Sequence, residues 1–278
     1  MPIPADPAML ALVASLADDP SGGPPAAPEE APFRLVLELD AWRPRLAGDF
    51  TDGGGKVDVD APDLHGAETA FAGSIAARRD RLEVSVRGFA FSTDGGGVAN
   101  DAFTLGGATV AAGDAFTSEF SWWSAGAAVA YDAWRPLEER PSTRAGTDFS
   151  IFLLGSADIA GLSRTVVDST TATATDADES LLALALGGGF RVAFDTPDSL
   201  PLVRRAAIEG SASYGLAIPV SGGDLGTAVR IEASLRAWFC DEGSVRFGYR
   251  LVGVDLDGED MSLAGSLQGL FLGVGIEF

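Results

Sequence analysis

From Phe33 onward, apolar residues recur at every second position. Phe33, Leu35, Leu37, Leu39 and Ala41 alternate with Arg34, Glu38, Asp40 and Trp42, which is the period of a strand with one oily and one charged face. The run Leu82 to Phe91 repeats the pattern, and Val229, Ile231, Ala233 and Leu235 oppose Arg230, Glu232, Ser234 and Arg236 in a third. Phe149, Ile151 and Leu153 against Asp148 and Ser150 fit as well, as do Val245, Phe247, Tyr249 and Leu251 against Ser244, Arg246, Gly248 and Arg250. Weaker alternation predicts further strands near Glu68 to Ala77, Phe116 to Tyr131, Leu181 to Phe194, Val203 to Leu216 and Met261 to Phe278.

That makes about ten strands, with eight to twelve allowed. An even number returns both ends of the sheet to one side. Arg78 to Arg81 and Cys240 to Gly243 read as tight turns, and 43 to 66, 93 to 115 and 163 to 179 as long Gly-, Asp- and Thr-rich loops on the other side. Asp132 to Gly146 breaks this order, being long where a short turn is expected. The expected fold is all-β: a transmembrane antiparallel up-and-down β-barrel over residues 33–278. A soluble sandwich or a lipocalin-like barrel would alternate too, with oil inward and charge outward. Three features favour the membrane form. The runs reach ten or more residues, both charge signs mix within single strands, and Gly and Ala are abundant where a narrow lumen needs them.

Composition sharpens the picture. The chain has 278 residues, 46% of them hydrophobic, yet its formal net charge is −21, so oil and charge must be kept apart in space. Lys56 is the only lysine, and no basic stripe exists to displace counterions from nucleic acid. Cys240 is the only cysteine, which excludes an intramolecular disulfide and a Cys-cluster metal site. No window of 18 or more residues is continuously apolar and uncharged, so a spanning helix is not expected. Met9 to Ala17 has the apolar character of an export-signal core without a preceding basic residue, and Asp18 to Pro32 reads as a Pro/Gly/acidic linker. Residues 1–32 are therefore expected to be a signal remnant or a flexible segment.

The last strand alternates Leu270, Leu272, Val274, Ile276 and Phe278 with Gly269, Phe271, Gly273, Gly275 and Glu277, and it stops on an aromatic. This ending resembles the insertion signal of outer-membrane barrels, carried here by Gly273, Ile276 and Phe278. The segments 37 to 50, 245 to 260 and 263 to 278 likewise resemble small Gram-negative outer-membrane barrels of the OmpA and OmpW type. The resemblance covers the chain from about residue 33. It implies a bacterial outer-membrane location and brings no shared catalytic residues.

Candidate chemistry is sparse. His65, the only histidine, falls in an expected loop with no partner nearby in sequence, so a catalytic triad or a His-based metal site is not expected. The segment TDGGG occurs at Thr51 to Gly55 and again at Thr93 to Gly97, and Asp52, Asp58, Asp60 and Asp94 are weak calcium candidates without the ligand spacing of a known calcium loop. DAWRP occurs twice, at Asp40 to Pro44 and Asp132 to Pro136, and each Trp is expected in an interfacial aromatic girdle. Of the adjacent Trp122 and Trp123, one should face out and one in. The charges expected to line the lumen are Arg34, Glu38, Asp40, Glu83, Arg87, Glu119, Asp148, Asp158, Glu209, Arg230, Glu232, Arg236, Arg246 and Arg250. In a barrel this narrow they should pair across a filled interior. The expectation is a non-enzymatic, structural or partner-binding outer-membrane barrel without a cofactor. Its expected partners are outer-membrane lipids, the barrel-assembly machinery and a surface protein. The alternative is a small pore for ions or polar solutes.

Overall fold

A computed structural model of the chain describes residues 33–52, 55–136, 147–196, 202–259 and 261–278. The expected signal remnant and linker in 1–32 lie outside the described residues. The strands are β1 (Arg34–Asp52), β2 (Gly55–Asp58), β3 (Ala70–Arg79), β4 (Leu82–Val98), β5 (Phe103–Leu105), β6 (Ala108–Val110), β7 (Ala115–Trp134), β8 (Thr147–Asp168), β9 (Thr173–Asp195), β10 (Arg205–Pro219), β11 (Gly223–Trp238), β12 (Gly243–Gly258) and β13 (Ser262–Glu277). Ten of them form a closed antiparallel barrel. Each pairs with its neighbour in the order β1, β3, β4, β7, β8, β9, β10, β11, β12, β13, and β13 closes onto β1 with Ala41 opposite Leu272 and Leu46 opposite Leu267. Closure leaves the barrel no free edge to aggregate.

All ten expected strands are present, but several run far past their expected ends. β8 has 22 residues and β9 has 23, about twice the 9 to 11 that a tilted membrane crossing needs. The spans 43 to 66, 93 to 115 and 163 to 179 are thus not the long loops expected. β1 continues to Asp52 and β4 to Val98, while β8 and β9 meet in a turn at 169–172. The remaining long connections are partly structured: β2 folds back on the end of β1, and β5 and β6 form a hairpin joined at Gly106 and Gly107. Short connections also occur at both ends of the barrel. Asp80–Arg81 and 239–242 lie at the end that holds the chain termini, with 169–172, 220–222 and 259–261 at the other. In the 132 to 146 stretch, β7 continues to Trp134, and 137–146 lie outside the described residues.

The reason for the missed strand ends is a reversal of sidedness partway along each strand. On β1 the outward positions run Leu35, Leu37, Leu39, Ala41 and then Arg43 and Arg45, while the inward ones run Glu38, Asp40 and then Trp42, Leu46 and Phe50, all three fully buried. β9 reverses in the same way. Its outward face carries Asp176 and Asp178 far from the termini and Leu184, Leu186 and Phe190 nearer to them, against inward Ala177 and Leu181 and then Arg191. Near the termini the outside is oil: Leu186 is 77% exposed, Leu153 61%, Val86 60% and Leu272 57%. A continuous exposed band of this kind exceeds what a water-soluble monomer carries. Beyond it the wall is polar outside and mostly apolar inside, with Arg164, Asp168 and Glu179 as buried charges.

The apolar core fills that far half. Phe50 packs edge-on against Phe120 at 5.8 Å, Trp42 against Phe89 at 5.4 Å, and Phe103 of the hairpin against Phe116 at 5.4 Å. Residues outside the ten strands turn into the same core, with Val59, Leu64, Leu105 and Val110 fully or almost fully buried. Gly95 is required there, because a Cβ on it would lie 2.2 Å from the Asp63 carbonyl oxygen of the segment folded over it.

Candidate functional site

Below the aromatic layer, the inward faces of seven strands hold a network of ions. Asp40 on β1 is almost fully buried and receives both arginines of β12: Arg246 donates from Nε at 2.8 Å and from Nη2 at 2.5 Å, and Arg250 donates from Nη2 at 2.8 Å. Arg250 also donates from Nε to Glu232 at 2.7 Å, and Arg246 Nη1 reaches Glu38 at 2.9 Å. From Glu38 the chain of contacts continues to Arg236, then Glu209 at 3.6 Å, Arg191 at 2.8 Å, Glu83 at 3.6 Å and Arg78 at 2.8 Å. Arg87 and Asp158 form a separate bidentate pair at 3.2 and 2.9 Å.

The network bridges β12 to β1 across β13, and it does so because the inward positions of β13 at this level are Gly273 and Gly275. A Cβ on Gly273 would lie 2.0 Å from Asp40 Oδ1, and one on Gly275 would lie 2.7 Å from Ser244 Oγ. Gly273, expected from the sequence to be part of an insertion signal, clears space for a buried ion pair. The aromatic layer lies directly over the ions. The Arg250 guanidinium sits 5.6 Å from the Trp42 ring and 4.7 Å from that of Phe271, and Arg246 sits 4.9 Å from Phe271, positions in which ring quadrupoles stabilise a cation. Burying each charge costs several kcal/mol, which only paired and hydrogen-bonded geometry offsets, and bidentate guanidinium–carboxylate contacts supply that geometry. These carboxylates are engaged by guanidinium groups, which have no acceptor and keep their protons.

Of the charges expected in the lumen, Glu38, Asp40, Glu83, Arg87, Asp158, Glu209, Arg230, Glu232, Arg236, Arg246 and Arg250 face inward. Arg34 and Asp148 sit at the rim, where Arg34 meets Glu277 at 3.2 Å and Asp148 meets Arg205 at 3.9 Å. Glu119 is a correction: it is exposed on the outer wall opposite Asp94, because inward positions on β7 are even-numbered. Arg78 and Arg191 were missed, although their parity within their strands marks them as inward.

The duplicated DAWRP splits. Trp134 is 52% exposed at the end of β7, stacked edge-on against Phe149 at 5.7 Å, whereas Trp42 is fully buried in mid-strand and belongs to no girdle. Trp122 faces in and Trp123 out. His65 does have acidic neighbours, contrary to expectation: its Nδ1 lies 3.4 Å from Asp60 and 3.6 Å from Asp63. The calcium candidates do not converge. Asp58 accepts the Asp60 backbone N–H at 2.9 Å in a local turn, Asp94 lies on β4, and the side chain of Asp52 is outside the described residues. Among the described residues no three His, Cys, Asp or Glu side chains group to hold a metal ion.

Beyond the oily belt, Asp168 closes the β8–β9 turn. The Thr171 hydroxyl, together with the backbone N–H groups of Thr170 and Thr171, holds its carboxyl below the usual carboxylate range against the opposing effect of burial.

By sequence, the chain matches no protein-family model and no curated protein. By structure it is similar to outer-membrane β-barrels. The outer-membrane protease OmpT from Escherichia coli aligns over 91% of this chain and 99% of its own, at 10% identity and a TM-score of 0.46. The transport unit of the autotransporter AIDA-I from Escherichia coli aligns over 96% of both chains, at 9% identity and a TM-score of 0.41. The COG4313 outer-membrane channel from Pseudomonas putida F1 covers 92% and 99%, at 8% and 0.32.

Proposed function

We infer that the chain is a bacterial outer-membrane barrel that is sealed, non-enzymatic, and acts through the acidic wall it raises outside the membrane. The observation that carries this reading is the reversal of sidedness: an oily belt near the termini with ions inside, then a polar wall with an aromatic core inside. The belt matches the lipid-facing band of a membrane barrel. The packed far half weighs against a pore, and carboxylates committed to arginines weigh against acid–base catalysis. In this reading the termini lie on the periplasmic side, and Asp94, Glu119, Asp176, Asp178, Asp255 and Asp257 form an extracellular surface suited to a cationic partner.

Labelling in intact Gram-negative cells tests both location and orientation. On a Cys240→Ser background, Asp178→Cys should react with a membrane-impermeant maleimide in intact cells, and Glu242→Cys only after the outer membrane is permeabilised. Labelling of Glu242→Cys in intact cells, or protection of Asp178→Cys, contradicts the reading.

A further inference from the structure

The outer wall above the belt is acidic at most of its charged positions, and its basic side chains gather in one corner. Arg43 and Arg45 project outward from β1, two residues apart on the same face. Arg43 stands opposite Leu270, the last large apolar residue on the outer face of β13 before Gln268 and Ser266. The two arginines therefore sit at the upper margin of the belt, the depth of lipid headgroups in the outer-membrane reading. Neither makes an ion pair with a described residue. Arg45 Nε donates to the His65 carbonyl at 3.2 Å, which steadies the side chain and leaves its terminal N–H groups free to bind. The other outward base of this wall, Lys56, lies farther out on β2, opposite Thr51.

Beside Arg45 the wall opens into a cleft of about 260 Å³, lined among others by Asp58, Asp60, His65 and Gln268. These side chains offer the donors and acceptors that bind sugar hydroxyls. Directly below, Leu39, Leu270 and Leu272 are each more than half exposed, a surface for acyl chains. One corner thus stacks three chemistries at the depths where one kind of molecule carries them.

We propose that this corner binds a phosphorylated glycolipid of the outer leaflet. Arg43 and Arg45 clamp its phosphate with charge-assisted hydrogen bonds, and the adjoining sugar hydroxyls enter the cleft against Asp58, Asp60 and Gln268. The proposal rests on the outer-membrane reading above. It is tested with the full chain refolded in neutral detergent, using native mass spectrometry and three probes: diphosphorylated lipid A, the same lipid dephosphorylated, and inorganic phosphate. The diphosphorylated lipid should be retained, the dephosphorylated one much less so, and Arg43→Gln/Arg45→Gln should lower retention roughly tenfold or more, with Lys56→Gln unchanged. Equal retention of both lipids, or no loss in the double variant, overturns the proposal. Displacement of the lipid by inorganic phosphate at comparable concentration overturns the lipid assignment in favour of a free-phosphate site. A heat-dependent gel shift on the same samples separates the two levels: a shifted barrel that ignores the lipid contradicts this proposal alone, and a chain with no shift contradicts the membrane reading as well.

Discussion

Asp40 shows what a buried charge requires in this interior. It accepts from two arginines at once, and those arginines are held in turn by Glu38, Glu232 and two aromatic rings. Removing one partner leaves an uncompensated ion, so Arg246→Met should destabilise the barrel by about 3–5 kcal/mol, read from urea unfolding in micelles. Gly273→Ala tests the space that the pair needs. A methyl group 2.0 Å from Asp40 Oδ1 should cost about 1–3 kcal/mol through overpacking, whereas a role for Gly273 in insertion alone would slow assembly and leave unfolding unchanged. Asp168 gives a pH signature. Its carboxyl is held below the ordinary value of 3.8 in the fold, so it stabilises fully above that value, and the contribution fades as pH falls through the folded pKa. Asp168→Asn should therefore lower the unfolding midpoint at about pH 6 and match the native chain at about pH 2; a gap that persists at low pH would mean the carboxylate charge is not responsible.

At the scale of the strand, the oily face changes sides near Trp42 on β1, Phe89 on β4 and Trp122 on β7, where inward positions turn from charged or small to aromatic. Two substitutions on the same outward face of β13 probe this boundary. Leu272→Arg lies in the belt and should cost about 2–4 kcal/mol in a bilayer, while Ser266→Arg, above it, should cost less than about 1 kcal/mol. Equal costs would mean that the belt does not end between them. The same reversal explains what the sequence disclosed. In the lower halves, outward Leu, Val and Ile alternate with Arg and Glu, so strand, face and most lumen charges were legible from parity. The upper halves are rich in Asp, Thr, Ser and glycine, as in Thr93 to Gly97 or Thr173 to Asp178, and such composition reads as loop. Glu119 was misassigned because the irregular run around Trp122 and Trp123 obscured parity on β7. The pairing of Glu38 with Arg236, 198 residues away, depends on closure that no local pattern encodes, whereas Asp60 and Asp63, both within five residues of His65, were within reach of the sequence.

For the whole molecule, two storeys divide the work. The lower one, lipid-facing in the outer-membrane reading, holds its ions in pairs, and the upper one is polar outside with a core of mostly aromatic and aliphatic side chains supplied partly by β2 and the β5–β6 hairpin. Its outer wall is largely acidic, in a chain with net charge −21, and such a charge keeps a surface solvated. The central claim is that this interior is closed. Single-channel recording on residues 33–278 inserted in a planar bilayer, with a heat-dependent gel shift confirming the folded barrel, tests it most directly. A silent baseline in the folded protein is the predicted result; discrete, reproducible conductance steps whose ion selectivity changes with Glu38→Gln would contradict it and establish a pore.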